Sequence, residues 1–227
     1  MISELYDSLD GQVVLLAGAD GGVGAAVADE LLRRGATLYV GSADGTVFSG
    51  GIPLALDLTD SESIGAAVGR VVGDRGRLDV LVLLPAVSDR RDWSLLEASI
   101  DTVDAGIART FRGPLLLVRA ALPYLLEHDG GRVVTVSADD TTSAHPADAA
   151  VQVSTAAFDA FASYLDATFA PRLIANNATP GRARADGGHC GRGDPTESSA
   201  ETVGTLARLR PGSDGGVDWS DCRAVGN

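Results

Sequence analysis

Two stretches of this chain carry residues whose types and spacing can do chemistry. In "AGADGGVGAAVADELLRRG", Gly18, Gly22 and Gly24 follow a G-x-x-x-G-x-G spacing between an apolar run and an amphipathic one. Glycines at such a turn let the backbone bend sharply and approach a pyrophosphate. The helix that follows offers N–H groups with no intrahelical partner and a partial positive charge. The loop of Gly18, Asp20, Gly22, Val23 and Gly24 is therefore expected to hold a dinucleotide. Asp20 brings a negative charge close to where phosphates would lie, although an acid pointing to solvent at a helix N-terminus is harmless.

The second stretch is "SADDTTSAHPAD", with Asp139, Asp140 and His145. An imidazole titrates near neutrality and can shuttle a proton, and a carboxyl group can act as acid or base. The same residues also suit a solvated turn, with His145 simply preceding Pro146. His189 and Cys190 are adjacent, but no second pair stands at ligand spacing, so no metal is expected. Cys190 and Cys222 are too few and too dispersed for a disulfide framework and read as unpaired thiols.

These residues must be positioned by the elements around them. Short apolar runs at 12–17, 36–41, 53–57, 79–84, 132–137 and 173–178 alternate with amphipathic stretches at 22–34, 60–73, 100–127, 150–169 and 198–208. That alternation predicts an α/β fold, a single Rossmann-like domain over residues 1–227 with a doubly wound parallel sheet covered by helices on both faces. From Gly181 the chain turns Gly-rich and polar, and residues 182–200 are expected to form a mobile loop.

Composition removes several classes of function. The 18 basic residues are all Arg, so no lysine-dependent mechanism is open to the chain. Against them stand 31 acidic residues, and the net charge of −13 would repel a phosphate backbone or an anionic membrane. Neither nucleic acid nor membrane is expected as a partner. The N-terminus lacks the basic and apolar regions of a secretion signal, and the run "GPLLLVRAALPYLL" is broken by Arg119 and too short to span a bilayer. A cytoplasmic protein acting on a small molecule is the expectation.

Beyond the glycine loop, Asp57-Leu58 after the third strand, Gly113-Pro114 in the long fourth helix and Pro180-Gly181 after the sixth strand appear in an order and spacing that resemble the short-chain dehydrogenase/reductase family over roughly residues 10 to 185. The resemblance implies a nicotinamide cofactor, with adenine near Asp57 and Leu58 and the rest of the dinucleotide reaching Pro180 and Gly181. The family ends its second strand with an acid for the adenosine ribose or an arginine for a 2′-phosphate. Here Gly41-Ser42-Ala43-Asp44 stands instead, and Ser42 joins the expected cofactor site. With no basic residue there, NAD(H) is favoured over NADP(H).

The same resemblance locates the family's Asn, Ser, Tyr and Lys at Thr110, Ala138, Val151 and Thr155, so all four catalytic types have been replaced. The Asn-Asn-Ala-Gly after the fourth strand corresponds to Leu83, Leu84, Pro85 and Ala86, and the threonine that steadies the nicotinamide falls at Ala185. In the family the tyrosine protonates the carbonyl oxygen as hydride arrives, and the lysine lowers its pKa. Valine has no proton to give. General acid catalysis is typically worth roughly 10²–10⁴-fold, about 3–5 kcal/mol of barrier, so the standard mechanism is ruled out. Tyr164, thirteen residues beyond Val151 on the same expected helix, is about 20 Å away along its axis and cannot substitute.

Three readings follow. One is an atypical oxidoreductase with a non-standard proton source, for instance a phenol or enol on the substrate. A second is a non-redox cyclase, isomerase or dehydratase using Asp139, Asp140 or His145 in the old pocket. The third is a non-catalytic partner subunit or dinucleotide sensor. The persisting glycine loop favours the first by a narrow margin. The apolar faces of helices 100–127 and 150–169, Phe158 among them, are expected to bury a partner, making a homodimer or larger assembly or a heteromer with a related chain.

Overall fold

A computed structural model describes residues 8–19, 22–43, 50–84, 99–128, 130–136, 149–178 and 203. Six parallel strands form one sheet: β1 (Val13–Ala17), β2 (Thr37–Ser42), β3 (Ile52–Ala55), β4 (Val80–Leu83), β5 (Gly131–Val136) and β6 (Leu173–Ala178). Their order is β3-β2-β1-β4-β5-β6. The chain thus moves outward from β1 in one direction and then crosses back to continue from β4 in the other. The result is the expected doubly wound Rossmann-like arrangement.

Strands such as "VVLLA" and "VLVL" are apolar at every position because both faces of the sheet are covered. On one face α2 (Ser61–Arg75), α4 (Gly113–Leu125) and α5 (Ala149–Phe169) bury Ile64, Val68, Leu117, Ala121, Phe158 and Leu165 against the odd-numbered residues of β1 and β4. On the other face Val27, Ala28 and Leu31 of α1 (Gly22–Arg33) pack on Val14, Leu16, Leu38 and Val40. Val203, within the helix expected at 198–208, joins this second layer; its neighbours in that stretch lie outside the described residues.

Polar ties lock the opposite end of the sheet. The buried Asp79 carboxylate accepts the Val13 N–H at 2.8 Å and is gripped by Arg77, while Arg132 donates to Gln12 at 2.6 Å. Each joins elements distant in sequence and so fixes strand register at this end.

Two differences from the sequence-based elements have physical causes. The third strand ends at Ala55 rather than at residue 57, because Asp57-Leu58-Thr59-Asp60 is turn-forming. The Asp57 carboxylate accepts from both the N–H and the hydroxyl of Thr59, and Asp60 caps α2 by accepting from the Glu62 N–H at 2.9 Å.

The helix expected over 100–127 is divided: α3 (Ile100–Ile107), a π turn over Ala108–Arg112, then α4. Pro114 has no N–H for the carbonyl four residues back, that of Thr110, and its ring crowds that carbonyl. Widening the preceding turn relieves the conflict, and Gly113 N–H donates to the Ala108 carbonyl five residues back.

Candidate functional site

Because the strands are parallel, β1, β2 and β3 all end on one edge. Ala17 pairs with Gly41, and Ser42 pairs with Ala55. Gly18, Ser42, Asp57 and Leu58, separated by up to forty positions in sequence, therefore converge at this edge. The first turn of α1 starts beside them with Val23, which is exposed, and Gly24. The edge lies where strand order reverses, between β1 and β4, and there an open α/β sheet leaves a crevice.

The glycines have structural reasons of their own. Gly18 has φ +82°, and a β-carbon on it would collide with the backbone carbonyl of Leu84. A β-carbon on Gly24 would meet the backbone of Ala19. Leu84 is buried at the end of β4 and its N–H donates to Ala17 at 2.9 Å, so the β1-to-α1 turn is packed directly on the neighbouring strand. Sequence reasoning missed this role of Leu84, since only a three-dimensional neighbour reveals it.

Ser42 is different. It is 2% exposed, yet among the described residues its hydroxyl has no hydrogen-bond partner. A buried hydroxyl without a partner at the end of β2 suits a hydroxyl-bearing ligand. On that observation the residues present fit a nucleotide cofactor.

Asp57 is exposed, and the Thr59 hydroxyl and then the Thr59 N–H hold its carboxyl below the usual aspartate range. It is thus a fixed anion at neutral pH. Its N–H donates to Ser63 at 2.9 Å. Leu58 packs its carbonyl and β-carbon against Gly113, where any side chain would collide, and so ties the end of β3 to the start of α4.

Thr110 is buried within the π turn, and its hydroxyl donates to the Gly106 carbonyl at 2.8 Å. That hydrogen bond directs the hydroxyl proton into the helix backbone. A second polar feature that went unnoticed lies between β5 and β6, where the Thr135 hydroxyl meets Asn177 Oδ1 at 2.7 Å. Two asparagines in "LIANNA", an otherwise apolar strand, were the available signal.

Residues 151 and 155 both lie in α5, confirming only that their backbone is helical. Asp20, Ala138, Asp139, Asp140, His145, Pro180, Gly181 and the 182–200 loop lie outside the described residues. Phe158 is not a surface residue: it is 8% exposed and packs edge-on to Phe111 with ring centroids 5.4 Å apart. Among the described residues, the exposed large apolar side chains of this region are instead Val153 and Tyr164 on α5, with Ile100 and Ile107 on α3. Among the described residues, no helix is long and apolar enough to cross a membrane.

Comparison with known proteins agrees with this architecture. The family model for short chain dehydrogenases matches residues 12–187. A dehydrogenase/reductase SDR family protein 7-like from Anopheles gambiae is 30% identical over 178 residues, 71% of this chain and 56% of that protein. A D-threitol dehydrogenase from Mycolicibacterium smegmatis is 31% identical over 147 residues, 60% of this chain and 56% of that one. This chain spans about half the length of the curated relatives it matches. The aldohexose dehydrogenase of Thermoplasma acidophilum superposes with a TM-score of 0.76 over 88% of each chain at 19% identity, a likeness of fold.

Proposed function

We propose that this chain, which belongs to the short-chain dehydrogenase family, is an atypical oxidoreductase that binds a nicotinamide dinucleotide, NAD(H) in preference to NADP(H). The observation that carries this reading is the reversal of strand order between β1 and β4, the place where an open α/β sheet takes its ligand, with the first turn of α1 and the ends of β2 and β3 at the same edge. The N–H groups of that turn suit the pyrophosphate, and Asp57 and Leu58 flank the adenine half. When bound, the nicotinamide supplies or accepts the hydride.

The chain's own residues limit what happens next. At the family's proton-donor position stands Val151, and Thr155 brings no charge where the lysine would be. The Thr110 hydroxyl is committed to Gly106. The proton for the carbonyl oxygen therefore comes from elsewhere, and a substrate bearing a phenol or enol beside its ketone brings its own.

One finding favours a second reading, a non-catalytic partner subunit or dinucleotide sensor. Gly18 and Gly24 are demanded by packing against Leu84 and Ala19, so their presence does not by itself require a cofactor. Self-association, or association with a related chain, through the exposed apolar residues of α3 and α5 belongs to both readings.

Calorimetric titration of the purified chain with NADH decides between binding and none, and Gly22→Asp is the control. An aspartate there places bulk and negative charge where phosphates approach α1. Binding by wild type and none by the variant supports the dinucleotide site. No binding by wild type at millimolar NADH overturns it.

A further inference from the structure

Leu173 and Ala175 of β6 and Val133 of β5 lie in the core with Phe158, Ala162 and Leu165 of α5. Side chains alternate along a strand, so Asn177 and Thr135, each two residues further on, continue the same face. Register pairs these two with each other and Thr135 with Leu83, which sets Leu83, Thr135 and Asn177 in one row across β4, β5 and β6 near the strand ends. Both β5 and β6 thus turn polar at the same step. Thr135 is buried and Asn177 half-buried, and polar groups at that depth are unfavourable unless they are hydrogen-bonded.

The bond that satisfies Thr135 also sets the carboxamide. A hydroxyl has one proton to donate, and Asn177 Oδ1 at 2.7 Å is nearer than the Asn176 carbonyl at 3.3 Å. Oδ1 is therefore turned toward β5, and the amide nitrogen takes the other branch of the side chain. That nitrogen has two hydrogens and can serve one acceptor within the protein and another on a ligand. A dinucleotide lies across the point where strand order reverses, so with its adenine half over β1–β3 the substrate belongs over the ends of β4–β6. In the row of Leu83, Thr135 and Asn177, the carboxamide is the group that carries N–H donors.

We propose that Asn177 donates a hydrogen bond to the carbonyl oxygen of the substrate and that Thr135 is the residue that positions it. The inference rests on the oxidoreductase reading above. An amide N–H stabilises negative charge growing on that oxygen, but it does not ionise, so it polarises the ketone without supplying the proton. In the balanced reaction, hydride from NADH adds to the carbonyl carbon and the π pair moves onto oxygen. The oxygen takes the proton of the adjacent phenol or enol, that proton is replaced from water, and NAD⁺ remains.

The test uses the full chain with NADH and ortho-hydroxyacetophenone, a ketone beside a phenol. Asn177→Asp keeps the shape and the bond from Thr135 but replaces the donor with a carboxylate. It is expected to lower kcat about 10²-fold while calorimetry shows unchanged NADH binding. Part of the loss should return as pH falls, because a protonated carboxyl donates again. Thr135→Val, which leaves the carboxamide present but no longer aimed, is expected to lower kcat about tenfold with little change in the KM for the ketone. A wild-type kcat in Asn177→Ala, or an Asn177→Asp rate lowered equally at every pH, assigns the pair to packing and overturns the inference. If the Asn177 variants do not fold, an unchanged kcat in Thr135→Val overturns it. A wild type that binds NADH but neither binds nor reduces ortho-hydroxyacetophenone overturns it and leaves the dinucleotide reading intact. A wild type that binds no dinucleotide overturns both.

Discussion

Gly18 lies so close to the carbonyl of Leu84 that no β-carbon fits between them. The contact joins the end of β1 to the end of β4 at the point where strand order reverses, and it makes the glycine loop part of the fold as well as part of the site. A positive φ at Gly18 adds a second demand for glycine. Gly18→Ala is therefore expected to destabilise the ligand-free protein, by about 1–3 kcal/mol from backbone conformation and more from the collision. Urea unfolding without cofactor measures it. A variant as stable as wild type would show that the turn can move away from Leu84, and the glycine would then need a ligand to explain it.

The opposite outcome is expected on α2. Gly65, Gly69 and Gly73 recur every fourth residue along an exposed face, and a β-carbon at each would meet no atom within 4 Å. Glycine in a helix interior costs about 0.5–1 kcal/mol relative to alanine, so each Gly→Ala change should raise stability by about that amount. Denaturation of the single variants checks this. A loss of stability would mean that the face is covered in solution, which sedimentation of the same variants would reveal.

Association should run through α5, but not through Phe158. Phe158 is held by Phe111 and the core, so Phe158→Asp would unfold the chain rather than separate partners. Val153 and Tyr164 are 60% and 58% exposed, and Tyr164 stacks on Phe161 at 6.4 Å. Tyr164→Asp is expected to weaken association while leaving the melting temperature of the dissociated chain close to that of wild type. Sedimentation at micromolar concentration measures the first and dilute thermal unfolding the second. A wild type that sediments at 23 kDa, the mass of a single chain, removes the premise.

The alternation of short apolar runs with amphipathic ones made the parallel sheet legible, because a strand buried on both faces leaves a continuous apolar signature. What stayed hidden depended on neighbours remote in sequence. Nothing adjacent to Ser42 shows that it is buried, and nothing near Gly18 indicates Leu84. The π turn is half visible in the sequence: Pro114 denies a hydrogen bond to the Thr110 carbonyl, but proline alone does not say whether the helix kinks, breaks or widens there. The early end of β3 was fully visible in Asp57 and Asp60, whose side chains favour turns and caps over strands.

The replaced catalytic residues lead to a prediction about substrates. On the proposed reading, Val151 takes the donor position and the Thr110 hydroxyl is turned toward Gly106, so an unactivated ketone meets no general acid from the family's set. Such ketones should be reduced roughly 10²–10⁴-fold more slowly than ketones carrying an adjacent phenol or enol, the range over which a positioned proton donor acts. The loss of nicotinamide absorbance with matched substrate pairs gives the ratio. Restoring the family's types with Ala138→Ser, Val151→Tyr and Thr155→Lys together should raise the rate on the unactivated ketone selectively, and should do so only if the nicotinamide is held in place. Leu83 and Leu84 bear on that condition, since both are buried in the core where the family has asparagines. Equal rates on the two ketones in the unaltered protein would mean that a side chain of this chain supplies the proton after all, and Asp139, Asp140 and His145 would be the residues to replace next.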